Sequence, residues 1–327
     1  MQKNFFGCVD DARESSTRAC LLKILFLAAI AFSAALLFAC APPTPAPHPT
    51  LVSRAYIPSV PASNERIPTH GVGIPYEHTG LYATLIYTPE IPSFFIVDWW
   101  LDCSRWVDKA YYPMGWGGWD NRLLQCNDGR PLLMLNEPEH ADQANLSPSD
   151  AAAQWYTALE NWRGDVYCCG VMAQHVGYMR KVVDAYTSTY GALPARAKTH
   201  VHVYALDANG IWTKATGVDD AQRGVDALRD YLAYVDAVGL LRRGGAIISE
   251  YGSLDGETLP VDVLPVMQEF EGAFRAFGRA RVAGWAWFAI NSDGLGTNSF
   301  SSSNLVAWEE QRTPLGDQWR SYAEEVR

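Results

Sequence analysis

Leu132-Leu-Met-Leu-Asn-Glu-Pro138 is a run of four apolar residues that closes on a polar pair and a proline, and its reading decides the fold. An apolar strand ending in this way delivers Asn136 and Glu137 to its C-terminal edge, where parallel barrels build their active sites. Ile247-Ile-Ser-Glu250-Tyr-Gly252 repeats the device, again an apolar strand with a glutamate at its far end. Either segment alone reads equally well as a strand followed by a surface carboxylate. Two glutamates delivered to one rim are much harder to obtain by chance.

Working outward, the chain alternates short apolar segments with longer amphipathic ones from about residue 66, the pattern of a parallel α/β fold. The other strand candidates are 70–75, 94–98, 110–114, 166–171, 200–204 and 282–289, which with the two glutamate-bearing strands makes eight. A single (β/α)8 barrel, or TIM barrel, of roughly 250 residues is therefore expected. Ser147-Pro-Ser-Asp150 opens a helix with a capping serine and a first-turn proline, and Gly191 stops one that begins near Tyr178. Helical spacing recurs in Val225, Leu228, Leu232 and Val235, and in Met267, Phe270 and Phe274. The segments between the first three strands are short and rich in glycine and tryptophan, as in Gly115-Trp-Gly-Gly-Trp119, so helices there are expected to be reduced or missing.

The first forty residues read as an export signal. A basic leader precedes an apolar run from Ile24 to Ala39, which ends at Cys40. Leu37-Phe-Ala-Cys40 is similar to a bacterial lipobox, so Cys40 is the expected lipidation site; simple secretion or an uncleaved anchor are the alternatives. Residues 41–65 are a proline-rich linker and 66–327 the catalytic domain. This places the protein at the bacterial cell envelope, anchored to the membrane and facing outward. Of the seven cysteines, Cys103, Cys126, Cys168 and Cys169 belong to the folded domain. Cys103 and Cys126 are a possible pair, whereas adjacent Cys168 and Cys169 should point to opposite strand faces and pack as small core residues. A net charge of −10 and the lack of any basic run exclude nucleic acid as a partner, while 12 Trp and 16 Tyr suit a neutral, hydroxyl-rich ligand. A monomer is expected.

The chemistry implied by the two glutamates is glycosidic bond cleavage with retention. One carboxylate attacks the anomeric carbon and one carboxylic acid protonates the leaving oxygen, about 5–5.5 Å apart. Glu137 is the candidate acid/base and Glu250 the candidate nucleophile, with Asn136 beside them to bind the sugar 2-hydroxyl. Glu139, Glu160 and Glu271 are competing carboxylates, the last two on helical patterns and expected to be solvated. Alternation puts His200, His202 and Tyr204 on one face of the sixth strand, with Tyr204 nearest the mouth and able to donate to the nucleophile. Both histidines read as well as a satisfied polar layer of the barrel core, His200 more so than His202. His200-Val-His202 lacks a nearby third ligand, so no metal and no cofactor are expected. Trp116 and Trp287 are candidate stacking platforms for sugar rings, against a bland reading as core.

With these residues in view, the chain resembles glycoside hydrolase family 128. The resemblance lies in Tyr111-Tyr-Pro-Met-Gly-Trp-Gly117, Leu133-Met-Leu-Asn-Glu-Pro-Glu139, Gln143-Ala-Asn-Leu-Ser-Pro148 with Trp155, His202-Val-Tyr204 and Ser249-Glu-Tyr251, and extends to Thr313-Pro-Leu-Gly316 and Trp319. It implies an endo-β-1,3-glucanase with acid/base Glu137, nucleophile Glu250, and substrate contacts at Trp116, Asn136, His202, Tyr204 and Trp287. Three positions depart from the family: Glu139 stands where Asp is more usual, Cys168-Cys-Gly170 replaces a small polar strand end, and Ser249-Glu-Tyr251 varies Thr-Glu-Phe. A β-1,4-linked mannan, xylan or glucan as substrate, or a catalytically silent carbohydrate-binding lipoprotein, remain the competing readings.

Overall fold

The computed structural model describes residues 70–74, 95–98, 110–212, 217–242, 244–254, 259–289, 303–305 and 312–325. The leader, Cys40, the proline-rich stretch and Cys103 lie outside the described residues. Eight strands run in chain order: β1 (His70–Ile74), β2 (Phe95–Asp98), β3 (Ala110–Gly115), β4 (Leu132–Met134), β5 (Val166–Met172), β6 (Ala197–Tyr204), β7 (Ala246–Gly252) and β8 (Val282–Trp287). Each pairs in parallel with its neighbour in sequence, and β1 also pairs with β8, so that the sheet closes on itself.

Parallel neighbours require crossovers, and after β4 these are helices. They are α1 (Pro148–Asn161), α2 (Val176–Tyr190), α3 (Val218–Ala237) and α4 (Leu264–Phe277), and α5 (Pro314–Glu324) follows β8. Their ends follow the sequence signals. Ser147 Oγ accepts the Asp150 N–H at 3.1 Å, Thr313 Oγ1 accepts the Gly316 N–H at 3.2 Å, and Gly191 terminates α2 with φ 88°. Between β3 and β4 the described connection is a 3-10 turn, Asn121–Cys126, as the short glycine-rich linker predicts.

Two apolar layers result from the pleat. Leu133, Tyr112, Met114, Tyr167, Ile247 and Ala286 meet inside the sheet, while Leu132, Met134 and their outward-facing counterparts pack under the helices with Trp155, Phe270 and Phe274. Both faces are buried, which is why the strands read as continuous apolar runs. Among the described residues no helix is long and apolar enough to cross a membrane.

Two expectations are corrected here. Cys168 and Cys169 form a disulfide with each other, with Cα atoms 3.0 Å apart across a cis peptide bond. The pleat that would send adjacent side chains to opposite faces presupposes a trans peptide, so the argument for two separate core thiols does not apply. Cys126 is also disulfide-bonded.

Glu271 is the second correction. It is 1% exposed rather than solvated, because the face of α4 that carries it packs on the sheet. There it accepts hydrogen bonds from Tyr251 Oη at 2.5 Å and Trp285 Nε1 at 2.8 Å, and it lies 3.0 Å from His70 Nε2. One carboxylate thus ties α4 to β1, β7 and β8. Glu271→Leu leaves these buried donors unpaired, and we expect it to lower unfolding free energy by about 3 kcal/mol, read as a shift of the urea midpoint. An unchanged midpoint would show that the network contributes nothing to stability. Glu160, by contrast, is exposed as expected.

Candidate active site

The chain past β4 is held between its neighbours by backbone hydrogen bonds: Leu135 N–H to Gly115 O, Asn136 N–H to Trp116 O and Glu137 N–H to Gly170 O, at 2.9, 2.9 and 3.1 Å. Holding it there requires left-handed backbone at Leu135 (φ 70°) and Glu137 (φ 42°), a conformation that non-glycine residues adopt at a cost and that clusters at functional sites. The outcome is that Asn136 and Glu137, both buried, face into the mouth of the sheet.

On the opposite side of the mouth β6 and β7 pair with His202 in register with Glu250. His202 Nδ1 is hydrogen-bonded to Glu137 Oε1 at 2.8 Å and lies 3.4 Å from Glu250 Oε2. A carboxylate oxygen of Glu137 therefore lies within 4.8 Å of one of Glu250. Tyr204 Oη donates to Glu250 Oε2, as its position nearest the mouth suggests. Three polar atoms of these residues are buried without a partner: Asn136 Oδ1, His202 Nε2 and Glu250 Oε1. Buried polar atoms are nearly always satisfied, so Asn136 Oδ1 and the second Glu250 oxygen are open to a hydroxyl-rich ligand, whereas His202 Nε2 lies on the far side of its ring beside Gly170.

The electrostatics follow from burial. Removal from water raises Glu137 to about 8, with the Glu139 carboxylate adding to the rise and His140 opposing it. Glu250 is raised to about 7 by burial, while His202 and the Tyr204 hydrogen bond favour its ionised form and Glu137 opposes it. His202 is lowered by burial, against the pull of the Glu250 and Glu139 carboxylates. Both carboxyls thus sit far above the ordinary range, and their mutual repulsion favours one proton shared by the pair near neutral pH.

His200 does not join them. Its Nδ1 meets Ser249 Oγ at 2.8 Å and its Nε2 meets the Met134 carbonyl at 2.9 Å, so both nitrogens are occupied in the core, and burial lowers its pKa to about 3. Trp116, directly after β3, is 36% exposed, and its carbonyl accepts the Asn136 N–H. Trp287 is not brought to the mouth: it is fully buried, its Nε1 donates to the Ser303 carbonyl at 2.7 Å, and it packs edge-on against Tyr251. The pleat of β8 turns it toward the helix layer together with Trp285, so no face is open to a ligand.

Two features of the site were not singled out from sequence. Gly170 has φ 61°, and a Cβ there would stand 2.6 Å from Leu135 O, 2.7 Å from His200 Cε1 and 3.3 Å from His202 Nε2. A glycine directly after Cys168-Cys169 was the available signal, but only the packing reveals what it makes room for. Gly170→Ala should force apart the Leu135 carbonyl and the His200 ring, which the new Cβ would meet first, and so shift the chain leading to Glu137 and cut kcat/KM by at least roughly tenfold, since misplacement of about an ångström can cost that much and more. Wild-type rates in this variant would mean that the chain leading to Glu137 does not need its present position. The second feature is a group of cation-ligand type. Among the described residues, donors lie within 4.8 Å of one another in Glu137, His202 and Glu250, and again in Glu139, His140 and His175. The hydrogen bonds above account for the first trio.

Comparison with known proteins bears on the fold. The glycosyl hydrolase catalytic core family matches residues 98–223. No curated protein matches the chain. Among solved structures, an endo-β-1,3-glucanase of glycoside hydrolase family 128 from Amycolatopsis mediterranei, in complex with laminaritriose, aligns with TM-score 0.56 at 17% identity, covering 78% of this chain and 99% of that one. A family 128 endo-β-1,3-glucanase from Pseudomonas viridiflava aligns with TM-score 0.55 at 18% identity, covering 79% and 98%. A curdlan-specific exo-β-1,3-glucanase of the same family from Blastomyces gilchristii gives 0.54 at 19%, covering 77% and 97%. The chain thus resembles the glycosyl hydrolase catalytic core over residues 98–223 and shares the fold of family 128 glucanases.

Proposed function

We propose that the protein is a retaining endo-β-1,3-glucanase on a (β/α)8 barrel, with Glu137 as acid/base and Glu250 as nucleophile. The observation that carries this reading is the carboxylate pair, with oxygens within 4.8 Å of each other across His202. That spacing is closer to the short carboxyl separation of retaining enzymes than to the longer one of inverting enzymes.

In the first step a Glu250 oxygen bonds to the anomeric carbon, the bond from that carbon to the glycosidic oxygen breaks, and the Glu137 proton passes to the departing oxygen. In the second, Glu137, now ionised, takes a proton from water as the water oxygen attacks the same carbon and releases Glu250. His202 bonds to one carboxylate and lies near the other, while Tyr204 donates to Glu250, fixing its orientation. Asn136 Oδ1, free and buried, can accept from a sugar hydroxyl, and Trp116 offers a ring on which a sugar can stack. β-1,3-Glucan is the substrate we favour because the solved relatives include a complex with laminaritriose and a curdlan-specific enzyme.

The test is product analysis of the full chain with laminarin, curdlan, barley mixed-linkage glucan, mannan, xylan and cellulose. We expect oligosaccharides of mixed length from laminarin or curdlan alone. Glucose as sole product would replace endo by exo action, release only from another polymer would overturn the linkage, and no product from folded protein would leave a binding lipoprotein. Anchoring at the outer face of a bacterial envelope through Cys40 is part of the same proposal. Cys40→Ser is expected to move the protein from the membrane to the soluble fraction, and unchanged partitioning would rule out lipidation at Cys40.

A further inference from the structure

We infer a second site on the rim, in which Glu139, His140 and His175 bind a divalent transition-metal ion of the zinc type. Glu139 and His140 follow β4 by a few residues, while His175 stands just before α2, so the site joins the connections that leave two neighbouring strands, 36 residues apart along the chain. One donor atom from each of the three lies within 4.8 Å of the other two.

The carboxylate is the group that asks for a ligand. Glu139 Oε1 already accepts the Met172 N–H at 2.8 Å and lies 3.2 Å from His175 Nδ1, which locks the side chain in place. Its other oxygen, Oε2, is buried with no partner although the side chain is only 8% exposed. A carboxylate has about four lone-pair sites, and leaving one oxygen bare inside a protein is costly unless a cation or donor meets it. The proposed mechanism makes no use of this group.

The donor set selects the ion. Two imidazoles with one carboxylate suit zinc and its transition-metal neighbours, whereas magnesium and calcium take oxygen donors throughout. Met172 Sδ lies 3.2 Å from His140 Nε2, so a soft donor stands at the edge of the set. The two rings are 5.1 Å apart between centroids, and His175 is 39% exposed, which gives an ion access from solvent and gives the rings freedom to close on it. Bonds of about 2.0–2.2 Å place adjacent ligand atoms roughly 3.3 Å apart, so closing from the present spacing takes small side-chain rotations. A bound ion would pin the loop that carries Glu137 to the start of α2.

Metal content of the full chain tests this independently of glucanase activity. The protein is stripped with a chelator, equilibrated with Zn2+ or Mg2+, desalted, and its metal measured by mass spectrometry beside a His140→Ala/His175→Ala double variant and Glu250→Gln. We expect one more Zn2+ per wild-type chain than per double-variant chain, no retained Mg2+, and wild-type zinc content in Glu250→Gln. Each single histidine variant should weaken Zn2+ binding by at least roughly tenfold. Equal zinc in wild type and double variant would overturn the proposal, as would loss of the ion in Glu250→Gln, which would assign it to the Glu137, His202 and Glu250 trio. Should the double variant fail to fold by circular dichroism, His175→Gln alone, which keeps the size and polarity of the site, gives the same reading.

Discussion

Glu250→Ala should lose laminarin hydrolysis by roughly four or more orders of magnitude, the scale on which removal of a covalent nucleophile acts. The loss is large because Glu250 has two tasks at once: its carboxylate forms the bond to the anomeric carbon, and its charge stabilises the positive character that develops there. Added azide should restore part of the rate by entering the space left by the side chain, and the product should be the glycosyl azide of inverted configuration. Activity within tenfold of wild type, or an azide product of retained configuration, would remove Glu250 from the nucleophile's place. Circular dichroism separates this loss from unfolding, since the variant leaves the buried Tyr204 Oη without its acceptor.

Glu137→Ala should lower the rate on laminarin by about 10²–10⁴-fold, the usual worth of a general acid, while sparing activated aryl glycosides whose leaving groups need no proton. Equal losses on both substrates would argue against the acid role. The pH dependence is a sharper check. Activity needs Glu250 ionised and Glu137 protonated, so it should rise through the lower apparent pKa of the pair and fall through the higher, near neutrality, given rises to about 7 and about 8. In Glu137→Ala the alkaline limb should disappear. The acid limb should also move to lower pH, since Glu137 raises Glu250 and its removal relieves that pressure. Stability runs the other way, and only its direction is predicted: Glu137→Gln should gain on wild type as pH rises from about 4.5 toward 8. A carboxyl whose folded pKa exceeds its unfolded value binds more protons in the native state, so its contribution is present below the unfolded pKa of about 4.5 and is lost as pH rises through the folded value. Glu137→Gln, which cannot ionise, escapes this loss.

The legibility of the site follows the way information is stored along a strand. Glu137 and Glu250 each end an apolar run, and a period-two face carries His202 and Tyr204 to the same rim, so their meeting needed only strand order. The same rule failed for Trp287, because alternation tells which residues share a face without telling which face is inside. Glu271 lies on a helical pattern that reads as surface, yet side chains from three strands turn out from the sheet to meet it. No local pattern encodes a partner 201 positions away, as His70 is from Glu271.

What the sequence by itself determined is the order of strands, the helix ends at Ser147 and Gly191, and the pair of glutamates at two C-terminal edges, all of them local signals of periodicity and capping. The tertiary structure decided the rest: that one histidine sits between the carboxylates while its neighbour two residues back is spent on Ser249 and Met134, that Cys168 and Cys169 bond to each other, and that Glu139 meets His175. The physical reason is one of range. Propensity and pleat act over a few residues, whereas burial, hydrogen-bond satisfaction and the raised pKa values depend on side chains brought together only when the sheet closes.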